Sequence, residues 1–163
     1  MAQPARRRQA GFTYLVAIFV AALLALLSGH ALEQVQTAER REREAELLFV
    51  GEAFRSAIGE YYQRSPGTEK HYPPTLEALL VDDRLTRLRR PLRRIYRDPL
   101  TAEANWGLVA APDGGIMGVY SQAPGQPLKV DHFAPAQADF TGASRYQDWR
   151  FVFTPTDPGA TRP

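Results

Sequence analysis

The chain of 163 residues holds enough material for one domain, two at most. Apolar residues make up 44% and charged residues 23%, proportions of a globular protein that exclude wholesale disorder. The absence of cysteine excludes disulfides, thiolate metal sites and cysteine nucleophiles. Twenty basic against eighteen acidic side chains, a net of +2, give no general mandate for nucleic-acid binding.

That balance hides an uneven distribution, because no formal charge falls between Arg8 and Glu33. Residues 1–11 are a short leader whose only charges are Arg6, Arg7 and Arg8. Residues 12–32 are apolar except for Thr13, Ser28, Gly29 and His30. Twenty-one helical residues span about 31 Å, the thickness of a hydrocarbon core. The sequence therefore predicts a single membrane-spanning helix. The leader arginines favour a cytoplasmic N-terminus, and the chain from residue 33 onward then faces the periplasm or exterior. A secretory signal peptide is the competing reading, with Gly29-His30-Ala31 as a small-x-small site cleaved after Ala31.

The junction is more specific. The basic leader ends in Gly11, followed at once by Phe12-Thr13-Tyr14-Leu15 and the apolar helix. This pattern resembles the type IV prepilin signature. The resemblance implies cleavage between Gly11 and Phe12 by a prepilin peptidase, then N-methylation of Phe12. Loss of the three leader arginines leaves 17 basic against 18 acidic side chains, a net of −1. The family usually carries glutamate at the fifth residue after the cut, where this chain has Val16. Minor, tip-located or atypical pseudopilins tolerate that departure.

From Glu33 to Tyr62 the chain has no proline, and only Gly51 and Gly59 interrupt a helix-forming composition. Residues 39–46 read as a solvated helical stretch, with Glu39–Arg43 and Arg40–Glu44 as i,i+4 pairs. Leu47, Val50, Phe54, Ala57, Ile58 and Tyr61 then recur every three or four residues, which predicts one buried face. Ser65-Pro66-Gly67 ends the helix. A helix from Phe12 to about Gln63 would measure roughly 78 Å.

The remainder predicts a small mixed head. Thr75 is the expected N-cap of a short amphipathic helix carrying Leu76, Leu79 and Leu80. Residues 84–97 hold seven arginines, including Arg89, Arg90, Arg93 and Arg94, with Leu85, Leu88, Leu92 and Ile95 at spacings of three to four around Pro91. The cluster is a possible polyanion or subunit contact. A DNA-uptake role is the sharper reading. A solvated face pairing with Asp82, Asp83, Asp98 and neighbouring subunits is favoured over it, because only Tyr96 is available to stack on bases. Trp106–Ala110 and Ile116–Ser121 flank the hairpin signal Ala111-Pro112-Asp113-Gly114-Gly115. Trp149, Phe151 and Phe153 alternate with Arg150, Val152 and Thr154 as a third strand with an aromatic core face.

The order Tyr72-Pro73-Pro74, Arg97-Asp98-Pro99, Trp106 and a Gly-rich hairpin resembles the G-type major pseudopilins of type II secretion systems over residues 11–130. The expected fold class is α+β. The resemblance makes it pilin-like: leader 1–11, membrane and assembly helix 12–32, continuation 33–64, α/β head 65–154 and a loose tail 155–163. The acidic calcium loop of that family is replaced by residues 121–127, which lack carboxylates. Asp113 and Asp131 remain as possible ligands but are scattered, His30, His71 and His132 are isolated, and no metal, cofactor or catalytic residue is expected. No HExxH, nucleophile elbow, P-loop or GxGxxG occurs. Asp82 and Asp83, as adjacent residues, are not read as a catalytic pair.

The expected function is a structural pseudopilin in the bacterial inner membrane. Its partners would be the prepilin peptidase, other pseudopilins in a homo- or hetero-oligomeric fibre and the inner-membrane secretion platform. Val16, Ala17, Ala21, Ala22 and Ala25 line the expected assembly helix, the alanines allowing close helix approach. The alternatives are a type IV pilus or DNA-uptake component, and an anchored or secreted periplasmic binding domain. Nucleic acid is not favoured as a partner.

Overall fold

The computed structural model describes residues 10–84 and 88–155, with residues 10, 11 and 25–33 in backbone only. The leader arginines, Leu85 and Arg87, and the tail from 156 lie outside the described residues, as do the side chains of Ala25 and of the Gly29-His30-Ala31 site. The chain divides into two compact units, residues 1–40 and residues 41–163.

Helix α1 runs Ala10–Gln63, and no proline falls between Pro4 and Pro66 to interrupt it. In the first unit every described side chain from Phe12 to Leu24 is exposed. In the second unit the six expected stripe residues, Leu47 to Tyr61, are all buried. The helix has no basic residue in its last turn. Two cations from later in the chain cover its final carbonyls instead. Lys70 Nζ donates to the Gln63 and Ser65 carbonyls, and Arg84 Nη2 to that of Tyr61.

The buried stripe packs on a three-stranded antiparallel sheet in the order β1-β2-β3: β1 Gly107–Ala110, β2 Ile116–Tyr120 and β3 Phe151–Val152. The β1–β2 hairpin is the predicted one, with a register irregularity between Val109 and Ala110. Together with the long helix it makes the fold α+β. The third strand is shorter than expected. A 3-10 turn at Tyr146–Asp148 occupies the approach, and Trp149 N bonds back to the Tyr146 carbonyl. Trp149 and Phe151 are buried as expected, and Phe153 packs against the core's edge beside Tyr62. The two glycines inside α1 mark where the sheet's aromatics touch it. A Cβ on Gly51 would lie 2.3 Å from the Phe151 ring, and one on Gly59 2.7 Å from that of Phe153.

Two local expectations are corrected. The short helix after Pro74 is a 3-10 turn, Glu77–Leu79, preceded by Leu76 with no side-chain cap, so Thr75 does not cap it. The leucine spacing after residue 84 does not make one apolar face either. Leu92 is buried, Ile95 partly so, and Leu88 exposed. The Leu92 amide bonds the Leu79 carbonyl, and Asp82 and Arg89 exchange both backbone hydrogen bonds. Residues 79–82 and 89–92 thus run antiparallel, which Pro91 allows because it donates to neither contact.

Candidate functional site

The processing junction lies in α1. Gly11 and Phe12 are both helical in backbone, and Phe12 is 74% exposed. Val16, Ala17, Ala21 and Ala22 are exposed along the same stretch, and Ala25 has no described side chain. Nine large apolar residues between Phe12 and Leu24 stand open: Phe12, Tyr14, Leu15, Val16, Ile18, Phe19, Val20, Leu23 and Leu24. Covering them is worth on the order of 20 kcal/mol at about 1.5–3 kcal/mol each. Among the described residues no helix is long and apolar enough to cross a membrane. The side chains of residues 25–33, within the apolar stretch, lie outside that description.

The arginine segment separates into two chemistries. Arg84 is held inward: Nε and Nη2 donate to the two carboxylate oxygens of Asp82, both at 2.8 Å. Its Nη1 donates to Ser65 Oγ, and the guanidinium lies 3.4 Å from the centroid of the Tyr61 ring. These bonds tie the 79–82 leg, through Arg84, to the C-terminus of α1. The side-chain hydrogen bond from Arg84 holds the Asp82 carboxyl below its ordinary range, against an opposing contribution from burial. Burial raises the Tyr61 phenol, with Arg84 opposing.

Arg89, Arg90, Arg93 and Arg94 do the opposite. All four are exposed, and no side-chain ion pair joins them to a described residue. Among the described residues the expected pairing with Asp82, Asp83 and Asp98 is therefore seen only between Arg84 and Asp82. Asp98 is fully buried and faces Ser121, whose Oγ donates at 2.6 Å, while its Oδ1 accepts from the Leu100 amide. Arg97 Nη1 donates to the Ala102 carbonyl, and Arg94 lies over the Tyr96 ring at 5.0 Å. Asp82 and Asp83 do not share a site, since one is buried and the other exposed.

Glu44 overturns the reading of residues 39–46 as a wholly solvated stretch. It is 2% exposed. Its Oε1 accepts from the Leu128 amide at 2.7 Å and from Tyr146 Oη at 2.6 Å, and Oε2 from the Lys129 amide at 3.0 Å. One carboxylate thus holds the 128–129 loop and the Tyr146 turn against α1, and the loop borders a cleft of about 420 Å³ with Arg41, Ala45 and Leu48. The partners lie 84 to 102 residues away in sequence, so nothing local in Glu44's surroundings announces them.

Asp113 accepts from the Tyr72 and Gly115 amides, which hold its carboxyl below the ordinary range and shape the hairpin. His71 stands 3.9 Å from it and 3.8 Å from Glu69, and His132 bonds only its neighbour Asp131. Among the described residues no three His, Asp or Glu side chains gather as a metal site would require. No family model, curated protein or solved structure matches the chain.

Proposed function

We propose that this chain is a structural pseudopilin. It is inserted in the bacterial inner membrane, hydrolysed between Gly11 and Phe12 by a prepilin peptidase and methylated on Phe12. It then assembles through its apolar helix into a periplasmic fibre of a type II secretion-like system. The observation that carries this reading is the contrast along α1. Apolar side chains between Phe12 and Leu24 are all exposed, whereas those of the 47–61 stripe are all buried on a small sheet. An exposed apolar helix of that kind needs either lipid or other helices around it. The Gly11-Phe12 junction behind three arginines supplies the cut that releases it from one environment to the other.

The mechanism is mechanical. Lipid contacts of the apolar helix are exchanged for helix–helix contacts. Small residues at Ala17, Ala21 and Ala22 let neighbouring backbones approach. An inner-membrane motor supplies the work, and the head presents the fibre's outer surface to the secretion platform and cargo.

Mass spectrometry of the chain co-expressed with a prepilin peptidase tests the reading. The expected product begins at N-methylated Phe12 and lacks the first eleven residues, and Gly11→Val stays whole. An intact leader in the presence of active peptidase, or a product beginning at Leu32, overturns it.

A further inference from the structure

The four exposed arginines sit on a surface with a second character. Val81 is 45% exposed and Leu88 60% exposed, and each adjoins one member of the Asp82–Arg89 bridge. Side chains alternate across such a ladder. Asp82 points inward and is buried, so its neighbours Val81 and Asp83 turn outward. On the facing strand Leu88 and Arg90 do the same, while Arg89 stands opposite Asp82 on the other face and is exposed there. Arg93 and Arg94 follow directly after Leu92, which is buried and bonded through its amide to the Leu79 carbonyl. Val81, Leu88 and Arg90 therefore share the outward face with Asp83, and the exposed Arg89, Arg93 and Arg94 lie beside it in sequence on a backbone fixed at two points.

We propose that this surface docks on an anionic lipid bilayer, with guanidiniums on headgroup phosphates and Leu88 and Val81 at the acyl boundary. Charge complementarity selects the partner's sign. Guanidinium forks match phosphate oxygens bidentately, and none of these four is already paired within the described chain. The exposed aliphatics select lipid over nucleic acid. A base-stacking surface presents free aromatic rings. Here the nearby ring, Tyr96, is half-buried with Arg94 above it, while what projects is leucine and valine. Such basic and aliphatic mixtures suit an interface with anionic headgroups. The inference does not depend on cleavage after Gly11.

The test uses the full chain in reconstituted vesicles. Leu88→Cys introduces a single thiol into a chain that has none, and an environment-sensitive fluorophore on it reports local depth. The label is expected to shift to the blue and to be quenched by nitroxide lipids when phosphatidylglycerol is present, and to report water in pure phosphatidylcholine. The same label on Ser56→Cys, exposed on α1, is expected to report water in both. Changing Arg89, Arg90, Arg93 and Arg94 to Gln weakens docking about fivefold per arginine. Lysine at the same positions restores most of it, and salt that shortens the Debye length to about 3 Å abolishes it. A Leu88 label that reports water in both vesicle types overturns the proposal, as does burial indifferent to phosphatidylglycerol or to the arginines. A label that responds to duplex DNA and not to phosphatidylglycerol assigns the surface to nucleic acid and overturns it too.

Discussion

Replacing Glu44 by glutamine changes one oxygen for an NH2 group and leaves the side chain's shape intact. The carboxylate serves three donors with two oxygens, Oε1 taking two of them. An amide retains one acceptor. Whichever way it is turned, its NH2 faces a backbone amide, that of Lys129 or that of Leu128, donor against donor. At least one charge-assisted bond is lost and one donor is left facing another, at a cost of about 2–3 kcal/mol. Glu44→Ala removes all three acceptor contacts and opens a void beneath the loop, for about 3–5 kcal/mol. Tyr146→Phe removes a single bond, for about 1–2 kcal/mol, and the Glu44→Gln/Tyr146→Phe double variant should cost less than the two singles together. Hydrogen exchange on the full chain reads the effect at the bonds themselves. A loss of about 2 kcal/mol speeds exchange of the Leu128 and Lys129 amides roughly thirtyfold. Amides equally protected in wild type and Glu44→Gln would mean that Glu44 is solvated like its charged neighbours, and the reasoning would fail.

The Arg84 bonds keep Asp82 ionised below the ordinary carboxylate range, so Asp82 contributes stability above an unfolded-state pKa of about 3.9 that is lost as pH falls through the lower folded value. Melting temperatures measured across that acidic window should fall for wild type and flatten for Asp82→Asn, which should already be less stable at neutral pH; parallel curves would refute the pairing. Gly51→Ala should destabilise by about 1–3 kcal/mol despite alanine's gain of about 1 kcal/mol in helix propensity, because the added carbon meets the buried Phe151 ring. Gly59→Ala should cost less, since Phe153 is only partly buried and can turn aside; a raised denaturant midpoint for Gly51→Ala would sink the close-approach argument.

Periodicity made the core half of α1 readable. Six apolar residues at helical spacing are buried, and the hairpin signal at 111–115 falls between β1 and β2. Both signals are local, since the residues that carry them are near neighbours in sequence. What stayed hidden is held by polar bonds over long separations. Glu44 looks like any other acid in Glu-Arg-rich chain until Leu128, Lys129 and Tyr146 arrive against it. Asp98 looks like a partner for nearby arginines, yet it accepts from Ser121 inside the head. Arginine count likewise could not separate Arg84 from Arg89, Arg90, Arg93 and Arg94. The difference is which guanidinium reaches Asp82: Arg84 takes both of its carboxylate oxygens, whereas Arg89, opposite Asp82 in the bridge, takes neither. The leucine spacing after residue 84 misled for a related reason. It imitates a helix in a segment whose backbone bonds run to another strand.

Val16 sharpens what the proposed assembly must rely on. Glutamate at that position would put a carboxylate into lipid, a charge whose burial costs several kcal/mol unless a partner neutralises it. With valine the cost is absent, and so is any charge pairing with a neighbour at that position. Register between neighbouring helices then has to come from shape. Ala17, Ala21 and Ala22 offer grooves between Ile18, Phe19 and Leu24 into which a second helix can set its own ridges. Packing of this kind tolerates changes of charge on the head but not of volume on the helix. Ala21→Leu, which preserves hydropathy and fills the groove, should leave cleavage after Gly11 intact while reducing recovery of fibres at least tenfold. Restoring glutamate by Val16→Glu should not rescue that loss, because the obstruction is steric. Fibres recovered undiminished from Ala21→Leu would show that close approach through the alanines is not what holds neighbouring helices together.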